Sequence, residues 1–211
     1  MARRLALPSR SGSDEALGGG CYTLGVIDRP QDQLSILKLV TGRLDETGIP
    51  YMITGSIASG HYGHPRMTRD IDIVVELTPA DAPRLAAALG DEFGADPDRI
   101  RDAIARRSLF NVIHREAIVK VDFVTRKDTP YRAEEFRRRR LVRVDGHPLW
   151  MVAPEDLILS KLVWAKDSRS EIQLRDVRGV LTLQRETLDR GYLDRWANSL
   201  SVAALLREVE S

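Results

Sequence analysis

Between Arg69 and Thr78 the chain reads Asp70-Ile71-Asp72-Ile73-Val74-Val75-Glu76-Leu77, acids alternating with apolar residues before a β-branched run. Alternation with a period of two fits a strand and no other regular element, and it points Asp70 and Asp72 to one face while Ile71 and Ile73 enter a core on the other. On that face the two carboxylates stand roughly 6–7 Å apart and repel when both are ionised. A strand of this kind needs a sheet around it and helices over its apolar face, so an α/β (α+β) architecture is expected.

The flanking segments supply them. Leu34, Leu37, Leu39, Val40 and Leu44 recur at helical spacing from Gln33 to Thr47, and Gly48 with Pro50 ends the pattern. Tyr51 to Thr54 is a short strand that turns at Gly55-Ser56 into a helix from Ile57 to Tyr62. Helices are predicted after Thr78-Pro79, over Ala80 to Leu89, and over Asp98 to Arg107. Leu109 to His114 and Ala117 to Thr125 read as strands of a tight hairpin around Arg115 and Glu116. A helix follows over Thr129 to Arg139, then two strands, Leu141 to Val144 and Pro148 to Val152, around the Asp145-Gly146 turn. Beyond Pro154 the pattern is helical throughout, as Ala153 to Trp164, Glu171 to Arg185 and Leu188 to Val209. The resulting division is a loose Gly-, Ser- and Arg-rich tail over 1–30, an α/β domain over 31–152 and a small helical region over 153–211.

Composition narrows the function classes. A net charge of +1 gives no global attraction to nucleic acid, and the lone Cys21 permits neither an intramolecular disulfide nor a thiolate cage. No apolar run approaches the roughly 20 residues that span a bilayer, so no membrane role and a cytoplasmic location are expected.

Chemistry concentrates on a few acids. Asp122, between Val121 and Phe123 in an otherwise apolar strand that also carries Lys120, needs a partner if buried. Together with Asp70 and Asp72 it forms an oxygen-donor set suited to a hard cation such as Mg²⁺ or Mn²⁺. The alternative is that Asp70 caps the strand entry and Asp72 faces solvent on an edge. At the Gly55-Ser56 corner, backbone N–H groups, a hydroxyl and a helix dipole can hold phosphates. Lys161 on a helix facing the acids can neutralise remaining phosphate charge, or be a surface lysine, and Arg66 has the same two readings. His61 and His64 lack companion ligands and are read as loop residues. Trp150, Trp164 and Trp196 are read as core. From residue 126 to 143 eight positive charges face three negative ones, a patch that either meets RNA phosphates or forms a solvated helix end.

Gly55-Ser56, Asp70-Ile71-Asp72 and Val121-Asp122-Phe123, in that order, resemble the signature of the polymerase-β-like nucleotidyltransferase superfamily. Arg66-Met67-Thr68-Arg69 before the acidic pair, Lys120 two residues before Asp122, and Pro154-Glu155-Asp156 through Lys161 make the chain look most like the AbiEii-type minimal nucleotidyltransferases of toxin–antitoxin and phage-defence systems. Ala153 replaces a usual serine, and the family's Arg-x-Lys-Asp-x-x-Asp block is represented only by Arg169 and, after a longer gap, Arg175-Asp176. The resemblance implies a metal-dependent enzyme with Asp70, Asp72 and Asp122 as catalytic metal ligands. It implies Gly55, Ser56, Arg66, Lys120 and Lys161 at the NTP, transfer of an NMP to tRNA, and a cognate antitoxin as partner. Other acceptors in such enzymes are proteins and small molecules such as aminoglycosides, and an inert NTP- or partner-binding module is the non-enzymatic alternative.

Overall fold

The computed structural model describes residues 33–211, so the 1–30 tail and Cys21 lie outside the described residues. Six strands form one mixed sheet in the order β3-β4-β2-β1-β6-β5. They are β1 (Tyr51–Ile53), β2 (Asp70–Val75), β3 (Leu109–His114), β4 (Val119–Thr125), β5 (Arg140–Val144) and β6 (His147–Met151). The helices before the last strand pair are α1 (Gln33–Glu46), α2 (Gly55–Tyr62), α3 (Ala82–Leu89), α4 (Pro97–Ala105) and α5 (Pro130–Arg137). After it come α6 (Pro154–Ser168), α7 (Glu171–Leu183), α8 (Arg190–Ser199) and α9 (Ala203–Glu210). The expected α/β architecture is thus observed, and among the described residues no helix is long and apolar enough to cross a membrane.

The central pairing is β2 beside β4, parallel and in register, which sets Asp72 opposite Asp122 and Asp70 opposite Lys120. A crossover between parallel strands needs a dozen or more residues, and α3, α4 and β3 fill it here. On the apolar side Ile71, Ile73, Val121 and Phe123 are fully buried, with Phe110 stacked on Phe123 at 5.1 Å between ring centroids. The apolar side chains buried from α1 through α9 form one cluster.

Several sequence expectations are corrected. The β3–β4 connection spans Arg115 to Ile118, not a two-residue turn, because Ile118 adopts φ +51° and its N–H returns to the His114 carbonyl at 2.8 Å. The predicted helix from Leu188 to Val209 is two helices, broken where Ser201 enters the left-handed region at φ +58°. Helix α6 continues past Trp164 to Ser168, and Trp164 is 70% exposed instead of core. Leu157, Ile158, Lys161, Leu162 and Ala165 occupy the buried stripe, and Trp164 falls on the opposite side. Trp196 packs partly on the core beside Tyr131, their ring centroids 5.1 Å apart.

The arginine run is partly paired within the fold. Arg137 pairs with Glu134 at 2.7 Å, Arg138 with Glu155 and Asp156 at 2.9 and 3.0 Å, and Arg140 with Glu155 at 3.4 Å. Arg139 lies over the Phe136 and Trp150 rings at 4.4 and 5.0 Å from their centroids. Two acids from α6, Glu155 and Asp156, therefore offset part of the positive excess of five read from the local sequence.

Asp156 is fully buried, accepting from the Tyr192 hydroxyl at 2.5 Å, and burial pushes its carboxyl up to about 6 despite that bond and the Arg138 contact. A carboxyl raised on folding favours the folded state most below its unfolded pKa and loses that contribution as pH rises through the folded value. Relative to Asp156→Asn, the protein is expected to lose on the order of 2–3 kcal/mol of stability between about pH 4 and pH 6. Paired denaturation curves across that range measure it, and parallel curves would contradict it.

Candidate active site

The site face of the sheet carries Asp70 and Asp72 from β2 and Lys120 and Asp122 from β4. Asp70 is exposed, Asp72 half-buried and Asp122 only 7% exposed. The Lys120 ammonium lies 2.8 Å from Asp122 Oδ2 and 3.6 Å from Asp70 Oδ2. The Asp122 hydrogen bond leads the causes that raise Lys120 above the usual lysine range. Burial, and then the charge of Asp122, push Asp72 above the usual carboxylate range, while the Ser56 N–H pulls it back.

Gly55 explains how Asp72 reaches that N–H. Its φ of +63° lies in the left-handed region, and a Cβ there would stand 1.9 Å from Asp72 Oδ2. The first turn of α2 and the Asp72 carboxylate thus approach through the space a side chain would fill. The Thr54 N–H donates to the Asp72 carbonyl at 2.9 Å, fixing the corner against β2. Ser56 is buried and its hydroxyl meets that of Thr68 at 3.0 Å, a contact for which the sequence carried no signal because Thr68 stands in an irregular loop. A Gly55→Ala variant should lose about 2 kcal/mol of stability from backbone strain alone, measured by chemical denaturation. Displacement of Asp72 should cost roughly a hundredfold in kcat/KM of any reaction its carboxylate takes part in. Unchanged kcat/KM would contradict the close approach.

Lys161 and Arg66 meet at a fourth acid, Asp176. Lys161 Nζ lies 2.8 Å from both Asp176 Oδ2 and Gln173 Oε1, and Arg66 Nε lies 3.3 Å from Asp176 Oδ1. Lys161 and Asp176 are both buried. Burial lowers Lys161, Asp176 pushes it back up, and Asp72 adds in the same direction. The contact between α2 and α7 is made by two glycines: a Cβ on Gly63 would lie 3.0 Å from Val180 N, and one on Gly179 would lie 3.1 Å from His64 Cδ2. His64 therefore packs against α7, as a loop residue.

Of the site residues expected from the sequence, Asp70, Asp72, Lys120 and Asp122 share this face with the Gly55-Ser56 corner beside them, while Arg66 and Lys161 meet at Asp176. Asp176, the member of the altered fourth block, joins them, whereas Arg169 pairs with Glu208 at 3.4 Å. Among the described residues no group of three or more His, Cys, Asp or Glu side chains is arranged to hold a metal ion. The ammonium of Lys120 lies between Asp122 and Asp70. The donor chemistry still fits a hard cation: Asp72 and Asp122 are paired in register, and Asp122 Oδ1 is buried without a hydrogen-bond partner.

No family model and no curated protein matches this sequence. Solved structures do match the fold. An antigenic nucleotidyltransferase-like protein from Paracoccidioides brasiliensis superposes with a TM-score of 0.54 at 16% identity, over 85% of this chain and 92% of that one. The antibiotic-resistance factor ANT(2'')-Ia superposes with a TM-score of 0.50 at 11% identity, over 85% of this chain and 98% of that one. The chain has the fold of the nucleotidyltransferase-like proteins it resembles in structure.

Proposed function

We propose that this chain is a metal-dependent nucleotidyltransferase that moves an NMP from an NTP to an acceptor hydroxyl and releases pyrophosphate. The observation that carries this reading is the pairing of Asp72 with Asp122 across β2 and β4 directly beside the Gly55-Ser56 corner. Two half-buried or buried carboxylates opposed on neighbouring strands cost stability unless a cation or substrate compensates them. Mg²⁺ or Mn²⁺, held by Asp72 and Asp122 with Asp70 at the exposed rim, would supply charge neutralisation for the triphosphate.

The remaining steps belong to the chain's own side chains. Backbone N–H groups at the start of α2 offer donors to phosphate oxygens, and Ser56 is fixed there by Thr68. Lys161 and Arg66 add positive charge from α6 and from the loop after α2, with Asp176 fixing both. Lys120 holds and orients Asp122 through Oδ2, and the Asp122 carboxylate would orient or deprotonate the attacking hydroxyl. In-line attack then forms the new P–O bond as the bond to pyrophosphate breaks.

The AbiEii-type resemblance supports tRNA as acceptor and an antitoxin as partner, and use of cellular NTP supports a cytoplasmic setting. A second reading, a small-molecule acceptor, is favoured by the partial neutralisation of the arginine run by Glu134, Glu155 and Asp156, which weakens the most evident RNA patch. Its other support is the fold shared with an antibiotic-resistance factor. Purified protein incubated with each α-³²P-labelled NTP, Mg²⁺, and either total tRNA or an aminoglycoside panel distinguishes the acceptors. Label on tRNA supports the first reading and label on an aminoglycoside the second. Absence of label from every acceptor, including the protein itself, would overturn transfer.

A further inference from the structure

Among the described residues β3 is one of the two edges of the sheet, opposite β5, and its pairing parity can be read from one bond. Thr125 N donates to Ser108 O at 3.3 Å, and Leu109 pairs with Val124, so residues 108, 110, 112 and 114 turn their backbone groups toward β4. Leu109, Asn111 and Ile113 consequently direct their N–H and C=O groups away from the sheet, and no partner for them exists among the described residues. Their side chains lie on the carboxylate face, with Asn111 opposite Asp122. Leu109 and Ile113 remain 51% and 49% exposed.

Proteins ordinarily guard such an edge with a lysine, a proline, a bulge or a covering element. The strand Leu-Phe-Asn-Val-Ile-His has none of the first three, and its ladder to β4 runs unbroken over six residues. Beside it runs a groove of about 650 Å³ between β3 and α4. Arg99, Arg106 and Arg115 line this groove, all exposed and none in an ion pair among the described residues, unlike Arg137, Arg138 and Arg140. Asp96 and Asp102 line it as well, but Asp96 is engaged as the α4 cap, accepting from Asp98 N at 2.9 Å.

We propose that β3 and this groove form a docking site for an extended acidic segment of a partner protein, which adds to the sheet as a seventh strand. The unpaired backbone groups of Leu109, Asn111 and Ile113 supply the ladder, and Leu109 and Ile113 supply apolar contact for alternate side chains. The three free guanidinium groups set the charge of the occupant. They also argue against a second copy of this chain, because antiparallel pairing of two β3 edges would bring two sets of unpaired arginines together. The proposal does not depend on nucleotidyl transfer, and its test reads binding alone.

The probe is a short acetylated peptide alternating valine and glutamate, added to the purified protein while amide hydrogen exchange is followed residue by residue. Leu109, Asn111 and Ile113 should exchange rapidly in the free protein and slow by roughly tenfold or more with the peptide, an effect that weakens as salt is raised. Asn111→Pro blocks the edge without removing a β4 bond, and Arg99→Glu with Arg106→Glu leaves the backbone intact. Both should weaken binding at least about tenfold, equivalent to 1.4 kcal/mol. Equal slowing by the lysine counterpart of the peptide, or none by the acidic peptide, would overturn the proposal. So would protection of these amides by tRNA in place of the peptide, or by a concentration-dependent dimer of the protein alone.

Discussion

Asp72→Asn is expected to reduce NMP transfer by roughly a hundred- to a thousandfold, the loss typical of removing one group that stabilises charge in the transition state, while leaving the protein at least as stable as before. The two effects have opposite signs because of what surrounds the carboxylate. Asp72 is raised by burial and by the facing Asp122, so its negative charge is a burden on the folded state in the absence of a compensating cation. Asparagine removes that repulsion and keeps an oxygen to accept the Ser56 N–H. Parallel measurement of pyrophosphate release and thermal melting checks both halves. A variant that loses activity together with several degrees of melting temperature would mark Asp72 as structural, and one that keeps activity would remove it from the site.

Asp176→Ala should be the most damaging single change to stability, at about 3–5 kcal/mol, because it strands the buried Lys161 ammonium. Gln173 remains as one neutral acceptor, which cannot replace a carboxylate. The pH dependence has a definite sign. Burial already lowers Lys161, and loss of Asp176, which pushes it up, lowers it further. Below the folded pKa both states carry the proton and the cost is complete. Between the folded value and the ordinary lysine value the unfolded chain binds more protons, so the variant regains stability as pH rises toward 10.5. Asp176→Ala combined with Lys161→Met should recover much of the loss, since no uncompensated charge is then buried. Denaturation of the three proteins at neutral and alkaline pH measures this, and additive losses in the double variant would contradict the pairing.

These two residues show what the sequence could and could not disclose. Asp70 and Asp72 share a face because side chains alternate along any strand, so their common direction was legible from local periodicity alone. The facing of Asp72 by Asp122 was not, since it depends on β4 pairing parallel to β2 across a long crossover and on a register that only the packed sheet fixes. Asp176 lies beyond the spacing of the motif it resembles, and its place is set by how closely α7 approaches the end of α2, a tertiary distance permitted by Gly63 and Gly179.

The misread elements have equally specific causes. Trp164 was assigned to the core by residue type, although the helical phase of its neighbours turns it outward. The break at Ser201 carries no glycine or proline to announce it. The arginine run appeared as a surface charge patch because Glu155 and Asp156, which neutralise Arg138, lie far along the chain. Charge runs are local in sequence, but their compensation is not.

The most direct measurement is a crystal structure with a non-hydrolysable NTP analogue and Mn²⁺, using anomalous scattering to locate the metal. The account predicts Mn²⁺ bound to Asp72 and Asp122, with the triphosphate at the start of α2 and within reach of Lys161. Metal and nucleotide bound elsewhere, or nucleotide bound with no metal contact to either aspartate, would contradict it.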